Sequence, residues 1–359
     1  SQLFELQIIV TGSHLSNLYG NTYNIIEADG FNISYKVDIN VEDDSLDGIS
    51  SSTSLAISGF SKAFISLKPD IVILLGDRYE TFAAAVSALF SNIPIGHIHG
   101  GEVTEGAIDE AMRHSITKMS WWHFGATEEY CRRIKQLGES PERIFNVGGM
   151  GVDLIKSTDL LSKNEVEKKI GTKFFKKNIL VTYHPETYDK GSVETKFRII
   201  LDVLKDFSDV LFLFTFPNAD LNNKIIIKMI RNFEKKHPNN VRSFKSMGQP
   251  LYFSTLNYID AVLGNSSSGL LEVPSFNIAT INIGDRQKGR VKSNSVIDCD
   301  YSMSSIRGCI DSLFEGEFKD KIENAVNPYG SGGAAKKIMN ILENKEIPYN
   351  TKKTFFNYQ

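Results

Sequence analysis

Cysteine is scarce. Three residues in 359, Cys131, Cys299 and Cys309, are spread too widely for a disulfide framework or a cysteine-rich zinc site. They read as reduced thiols of a cytoplasmic protein. No run of 18 apolar residues occurs, so no membrane-spanning helix is expected. The basic stretch followed by an apolar one that marks a signal peptide is not seen either. Neither sign of charge is in excess: 40 Lys and Arg stand against 43 Asp and Glu, a net charge of -3. A general nucleic-acid binder is usually basic, so that class is set aside, while a local basic pocket for one anionic ligand is not. No internal repeat or low-complexity tract stands out. What the chain does have is 41% apolar and 23% charged residues, the balance of an ordinary globular protein. At ~150 residues per domain its length fits two domains.

The first half alternates short apolar runs with amphipathic ones. Leu6 to Thr11, Ile71 to Leu75, Pro94 to Ile98 and Ile144 to Val147 read as strands, each closed by glycine. Ser52 to Leu67, Arg78 to Phe90, Ala107 to Met119 and Glu128 to Leu137 read as helices between them. The second half repeats the theme, with strands at Asn178 to Thr182, Leu211 to Phe214, Ala261 to Leu263 and Ala279 to Ile283. Strands that are apolar throughout and separated by helices imply an α/β fold with doubly wound parallel sheets covered on both faces. The expected division is an N-terminal domain over 1–155, a lysine-rich connector over 156–177, a second domain over 178–333 and a C-terminal helix over 334–359. Ligands of such sheets bind beyond the carboxyl ends of the strands, so a cleft between the two halves is expected there.

The polar motifs lie right after the strands. Gly76-Asp77-Arg78 follows one strand and opens a helix; helix capping alone would account for Asp77, and a carboxylate at a cleft floor is the functional reading. The next strand delivers His97, His99, Gly100, Gly101 and Glu102. The two histidines share one face, and the glycine pair permits close backbone approach to a ligand. A metal site is a rival, but the spacing is that of a strand end, with no His-Glu-x-x-His helix and no clear third ligand. Asp109, Glu110, Arg113 and His114 fall on the first turns of the following helix. Arg113 is spaced to pair with Asp109 or Glu110, either as a solvated face or as a clamp that keeps a carboxylate ionised. In the second half His184 and Asn218 follow two strands. Gly264-Asn-Ser-Ser-Ser-Gly-Leu-Leu-Glu272 follows another and starts a helix. Ser266, Ser267 and the helix amides suggest an anion cradle that is not a Walker A loop, with Glu272 in reach of a ribose diol. Arg286, Lys288 and Arg290 in the loop beyond suggest a diphosphate clamp.

Taken in order, LLGDRYE, HIHGGE, DEAMRHSITKMS, HPET, GNSSSGLLEVPS and INIGDRQKGR resemble the hydrolysing UDP-N-acetylglucosamine 2-epimerases of bacterial sialic acid synthesis. The resemblance covers essentially the whole chain. It implies the GT-B architecture: two Rossmann-like domains, a cleft, and a C-terminal helix crossing back to the first domain. It places UDP-sugar contacts at Arg78, His99, His184, Asn218, Ser266, Ser267, Glu272, Arg286 and Arg290. Catalysis it places at Asp77, Glu110 and Arg113, with Asp109 and His97 nearby. The non-hydrolysing members carry Glu where this chain has His99, and Glu102 is the possible substitute. The resemblance further implies a homodimer, a UDP-sugar substrate with UDP as product, and no metal or redox cofactor. Family members begin with a strand and nucleotide loop ahead of the point matching Ser1, so ~25–35 preceding residues are expected. Two rivals stand beside it: the same chemistry on UDP-2,4-diacetamido-2,4,6-trideoxyglucose, and a GT-B glycosyltransferase, which shares the cleft and a nucleotide-contacting Glu but transfers the sugar to an acceptor. A non-catalytic UDP-sugar sensor is a third.

Overall fold

The computed structural model describes residues 3–357 except 18–19, 44, 106–107, 186–191, 218–222, 316–317, 319–320 and 323. The chain divides into two compact α/β units with parallel sheets. One gathers Ser1–Glu102, Ile108–Val147 and Gly333–Gln359; the other gathers Val103–Ala107 and Gly148–Gly332. The lysine-rich stretch expected as a connector lies inside the second unit. There the helix Lys163–Ile170 buries Val166 and Ile170, and Ser162 and Glu165 close a capping box at its start.

In the first unit, β1 (Ile8–Thr11) pairs with β2 (Ile33–Val37) in a two-stranded parallel sheet. Strands β3 (Val72–Leu75), β4 (Ile95–Ile98), β5 (Trp122–Gly125) and β6 (Ile144–Asn146) form a four-stranded parallel sheet in sequence order. The helices Leu46–Leu67 and Tyr79–Phe90 pack together because Ala83, Ala84, Ala85 and Ala88 are small and buried, against Ala56, Phe60, Ala63 and Phe64. Ser45 caps the first of these helices by accepting from the Gly48 amide.

The second unit is a six-stranded parallel sheet built from β7 (Lys177–Thr182), β8 (Val210–Thr215), β9 (Val241–Phe244), β10 (Ala261–Gly264), β11 (Ala279–Ile283) and β12 (Val296–Cys299). Its order is β12-β11-β10-β7-β8-β9, so the winding reverses between β10 and β7. Both sheet faces are covered. Ile179, Val181, Phe212, Phe214 and Leu263 enter one core cluster, and Leu180, Leu211, Leu213 and Val262 enter another. The alternation is what a pleated strand buried on both sides requires. Each such side chain fully removed from water stabilises by about 1.5–3 kcal/mol.

The tail returns to the first unit and is fastened there. Lys353 Nζ donates to the Lys118 and Ser120 carbonyls and to Glu139, each at 2.7 Å. The Phe356 amide bonds to the Gly138 carbonyl at 2.9 Å. Glu139 is fully buried and also receives Lys118 at 2.5 Å and His123 at 3.0 Å. Burial alone would raise its carboxyl; the bonds from His123, Lys118 and Lys353 reverse that and hold it at about 2. Burial pushes His123 down to about 4 and Lys353 down to about 8, against the pull of Glu139 on each.

Candidate active site

In the first unit the polar residues collect where β3 and β4 end. Gly76 turns the chain with φ +81°, and Asp77 follows it. The helix beyond is capped at Arg78 with no side-chain bond; the Asp77 carboxylate bonds the Arg113 guanidinium instead. Arg113 is 4% exposed and Asp77 18%, so the pair is shielded yet open on the carboxylate side. Arg113 thus reaches a partner 36 residues earlier, beyond the Asp109 and Glu110 pairings that helix spacing suggests. Glu110 is bonded by His114 at 3.0 Å, one turn on along the helix Asp109–Met119. Asp109 has its carboxyl raised by burial and by the neighbouring Asp77 charge. Arg78 is largely exposed and lies 3.4 Å from Glu80.

His97 is fully buried. Its Nε2 lies 2.9 Å from the Gly76 carbonyl and its Nδ1 3.2 Å from the Thr117 hydroxyl. Burial drives it down to about 3, so it is neutral at ordinary pH. His99 takes the left-handed conformation, φ +65°, and its Nδ1 lies 2.5 Å from Glu102 Oε1. Gly101 is required beside them: its φ is +74°, and a Cβ would stand 2.4 Å from the Tyr130 carbonyl oxygen. Among the described residues no three His, Cys, Asp or Glu side chains gather as a metal site, and both His97 nitrogens face protein partners.

In the second unit the candidates sit at the carboxyl ends of β7 and β10, where the strand order reverses and such sheets bind ligands. The hub is Asn265, which sequence reasoning passed over. Its side chain accepts from the His184 amide at 2.7 Å and donates to the His184 carbonyl at 2.9 Å. Its own carbonyl accepts from Gln287 at 2.8 Å and Arg286 at 3.1 Å. His184, Asn265 and Gln287 are buried. The helix after Ser267 is a single turn, Ser268–Leu271, ended by the Pro274 that follows. Its macrodipole is correspondingly small, so an anion here would rely on the Ser266 and Ser267 hydroxyls, loop amides and Arg286. Glu272 lies against the helix Met150–Ser157, where a Cβ on Gly151 would stand 2.7 Å from its Oε1. Arg290 reaches the Thr104 hydroxyl at 3.4 Å, and a Cβ on Gly289 would meet Val103 at 2.6 Å. Asn218 lies outside the described residues. No described helix is long and apolar enough to cross a membrane.

One unit therefore presents carboxylates with paired cations and histidines, the other a hydroxyl, amide and guanidinium cluster suited to an anion. Residues 1–343 match the family model described as UDP-N-acetylglucosamine 2-epimerase. Among curated relatives, Polysialic acid biosynthesis protein P7 of Escherichia coli is 41% identical over 340 residues, 94% of this chain and 86% of the relative. GDP/UDP-N,N'-diacetylbacillosamine 2-epimerase (hydrolyzing) of Campylobacter jejuni is 40% identical over 314 residues, 88% of this chain and 81% of the relative. Among solved structures, UDP-GlcNAc 2-epimerase from Neisseria meningitidis bound to UDP-GlcNAc superposes with a TM-score of 0.68 at 21% identity, over 94% of this chain and 92% of that one.

Proposed function

This chain belongs to the UDP-N-acetylglucosamine 2-epimerase family, and from that premise we propose that it is a hydrolysing 2-epimerase, converting UDP-N-acetylglucosamine and water to N-acetylmannosamine and UDP. The observation that carries the reading is the carboxylate group in the first unit. Asp77 is clamped by Arg113, while Asp109 beside it is made harder to ionise by burial and by Asp77 itself. A carboxylate fixed by a guanidinium, beside one that burial makes harder to ionise, is the equipment of acid–base chemistry.

The C2 hydrogen of the sugar has no adjacent carbonyl and is only weakly acidic. Removing it becomes feasible when the C1–O bond breaks as the proton leaves. The C2–H electrons then form the C1–C2 double bond of a glycal, and the C1–O electrons depart with UDP. Water adds its oxygen to C1, and a proton returns to C2 on the opposite face, which inverts that centre. Asp77, Asp109, Glu110 and Glu102 are the proposed proton carriers and stabilise positive charge on the ring. Ser266, Ser267, Arg286 and Arg290 are the proposed partners of the leaving diphosphate, with His184, Asn218 and Glu272 on the nucleoside, Arg78 close to these, and His99 among the UDP-sugar contacts. Protein cations supply the charge the leaving group needs, so the reading calls for no metal or nicotinamide. It includes a cytoplasmic homodimer.

The 40% identity to a diacetylbacillosamine epimerase favours a second reading, the same elimination and hydration on the UDP sugar bearing a 4-acetamido group. Incubation with each UDP sugar in D₂O, without acceptor, tests both. UDP release with deuterium at C2 of a free manno-configured sugar supports the chemistry, and the faster substrate assigns the sugar. Retention of hydrogen at C2, or no UDP from either, refutes it.

A further inference from the structure

We infer that His97 is a positioning residue that holds the peptide in front of Asp77, with Thr117 seated against its other ring nitrogen. The inference rests on the epimerase reading above and assigns His97 a role other than proton transfer.

The hydrogen-bond accounting leaves one arrangement. The Gly76 carbonyl can only accept, so the Nε2 that lies 2.9 Å from it must carry a hydrogen. The ring is fully buried among His99, His123 and Arg113, and these surroundings disfavour a second proton. Nδ1 is therefore an acceptor, with the Thr117 hydroxyl 3.2 Å away. That hydroxyl also donates to the Arg113 carbonyl at 3.0 Å, so its one hydrogen is divided between that carbonyl and Nδ1. Gly100 completes the fit. A Cβ there would stand 2.9 Å from His97 Nδ1 and 3.0 Å from Thr117 Oγ1, wedging the pair apart.

The consequence lies in the helix Asp109–Met119. Arg113 and Thr117 are one turn apart on it and hold Asp77 from two sides. Arg113 grips the carboxylate directly. Thr117, through His97, holds the carbonyl of Gly76, and that carbonyl belongs to the peptide whose nitrogen is Asp77's. Gly76 sits at φ +81° with nothing within 4 Å of where a Cβ would stand, so no packing on that side steadies the peptide and this bond does.

Two experiments test this. Steady-state kinetics on whichever UDP sugar is turned over should show His97→Ala lowering kcat by about 10²-fold, the scale of an ~1 Å misplacement. KM and UDP affinity should change much less. His97→Gln, whose amide nitrogen can still donate to the Gly76 carbonyl but cannot titrate, should recover most of that loss and keep the shape of the pH–rate profile. Thr117→Val should lower kcat by about tenfold, one hydrogen bond's worth. If His97→Gln is as inactive as His97→Ala while both still bind UDP, His97 moves a proton and the inference is overturned. The second experiment needs no turnover. Histidine ¹⁵N NMR, assigned through the His97→Gln variant, should show His97 neutral with hydrogen on Nε2 from pH 5.5 to 8, in wild type and in Thr117→Val alike. A His97 that titrates in this range, or carries its hydrogen on Nδ1, overturns the inference. Failure of every UDP sugar to react refutes the epimerase reading and leaves the NMR result to decide the role of His97.

Discussion

Replacing Glu139 with Gln should destabilise the first unit by about 3 kcal/mol at pH 7. The carboxylate is fully buried and bonded by Lys353 at 2.7 Å, Lys118 at 2.5 Å and His123 at 3.0 Å, with Arg143 at 3.7 Å. Two lines of reasoning give the magnitude. Holding a carboxyl at about 2 against an ordinary 4.5 corresponds to about 3 kcal/mol at neutral pH. Removing one partner of a buried ion pair costs about 3–5 kcal/mol, the lower end applying because Lys118 is 40% exposed and can turn to water. Both tryptophans, Trp121 and Trp122, lie in this unit, and the Arg143 guanidinium stands 4.6 Å over the Trp121 ring. Urea unfolding followed by tryptophan fluorescence therefore reports this unit without the other. The sign with pH follows from the folded Glu139 carboxyl titrating below its unfolded value. Its contribution is complete above about 4.5 and is lost as pH falls toward 2, so the gap between wild type and Glu139→Gln should narrow below pH 4.5. A double variant with Lys353→Met should recover part of the loss by removing the stranded ammonium. A Glu139→Gln midpoint equivalent to less than about 0.5 kcal/mol from wild type, the range of ordinary surface changes, would refute the reasoning.

Three further outcomes are expected. Asp77→Asn and Glu110→Gln should each lower turnover by ~10²–10⁴ while calorimetry still detects UDP binding. In Asp77→Asn the Asp109 carboxyl should titrate lower than in wild type, since one of the charges raising it is gone; carboxyl-resolved NMR or the acid limb of the pH–rate profile measures this. Asn265→Ala should weaken UDP binding by about tenfold or more, because it removes both of the side chain's bonds to the His184 backbone, each worth ~1 kcal/mol. Isothermal titration with UDP checks it.

The strand ends that carry the candidate residues were readable because each is an apolar run stopped by glycine, as at Gly76 and the Gly100-Gly101 pair. Their partners were not. Helix spacing aims Arg113 at Asp109 and Glu110, but the parallel sheet brings the end of β3 to the same place, and the buried guanidinium bonds Asp77. Asn265 reads as one more polar loop residue between Gly264 and Ser266. Its role appears only when β7 and β10 lie side by side and it meets the His184 backbone. Strand β5 escaped notice because its sequence, Trp-His-Phe-Gly, places a histidine where an apolar residue would be expected. That His123 is tolerated because Glu139 waits for it in the interior. The edge strands β9 and β12 are short and partly polar, with Arg242 in one and Asp298 in the other. The cradle helix was legible as a start but not as a single turn.

The first unit is assembled from three stretches, the last of which begins at Gly333. During synthesis, then, the amino-terminal portion leaves the ribosome long before Lys353, one of the two lysines bonded to its interior Glu139, has been translated. At the ~5–20 residues per second of elongation, the roughly two hundred intervening residues impose a wait of about 10–40 seconds. The middle portion, encoded without interruption apart from one short excursion, is free to mature during that interval. A premature stop between Gly333 and Lys353 would thus injure the first unit and leave the whole of the second encoded.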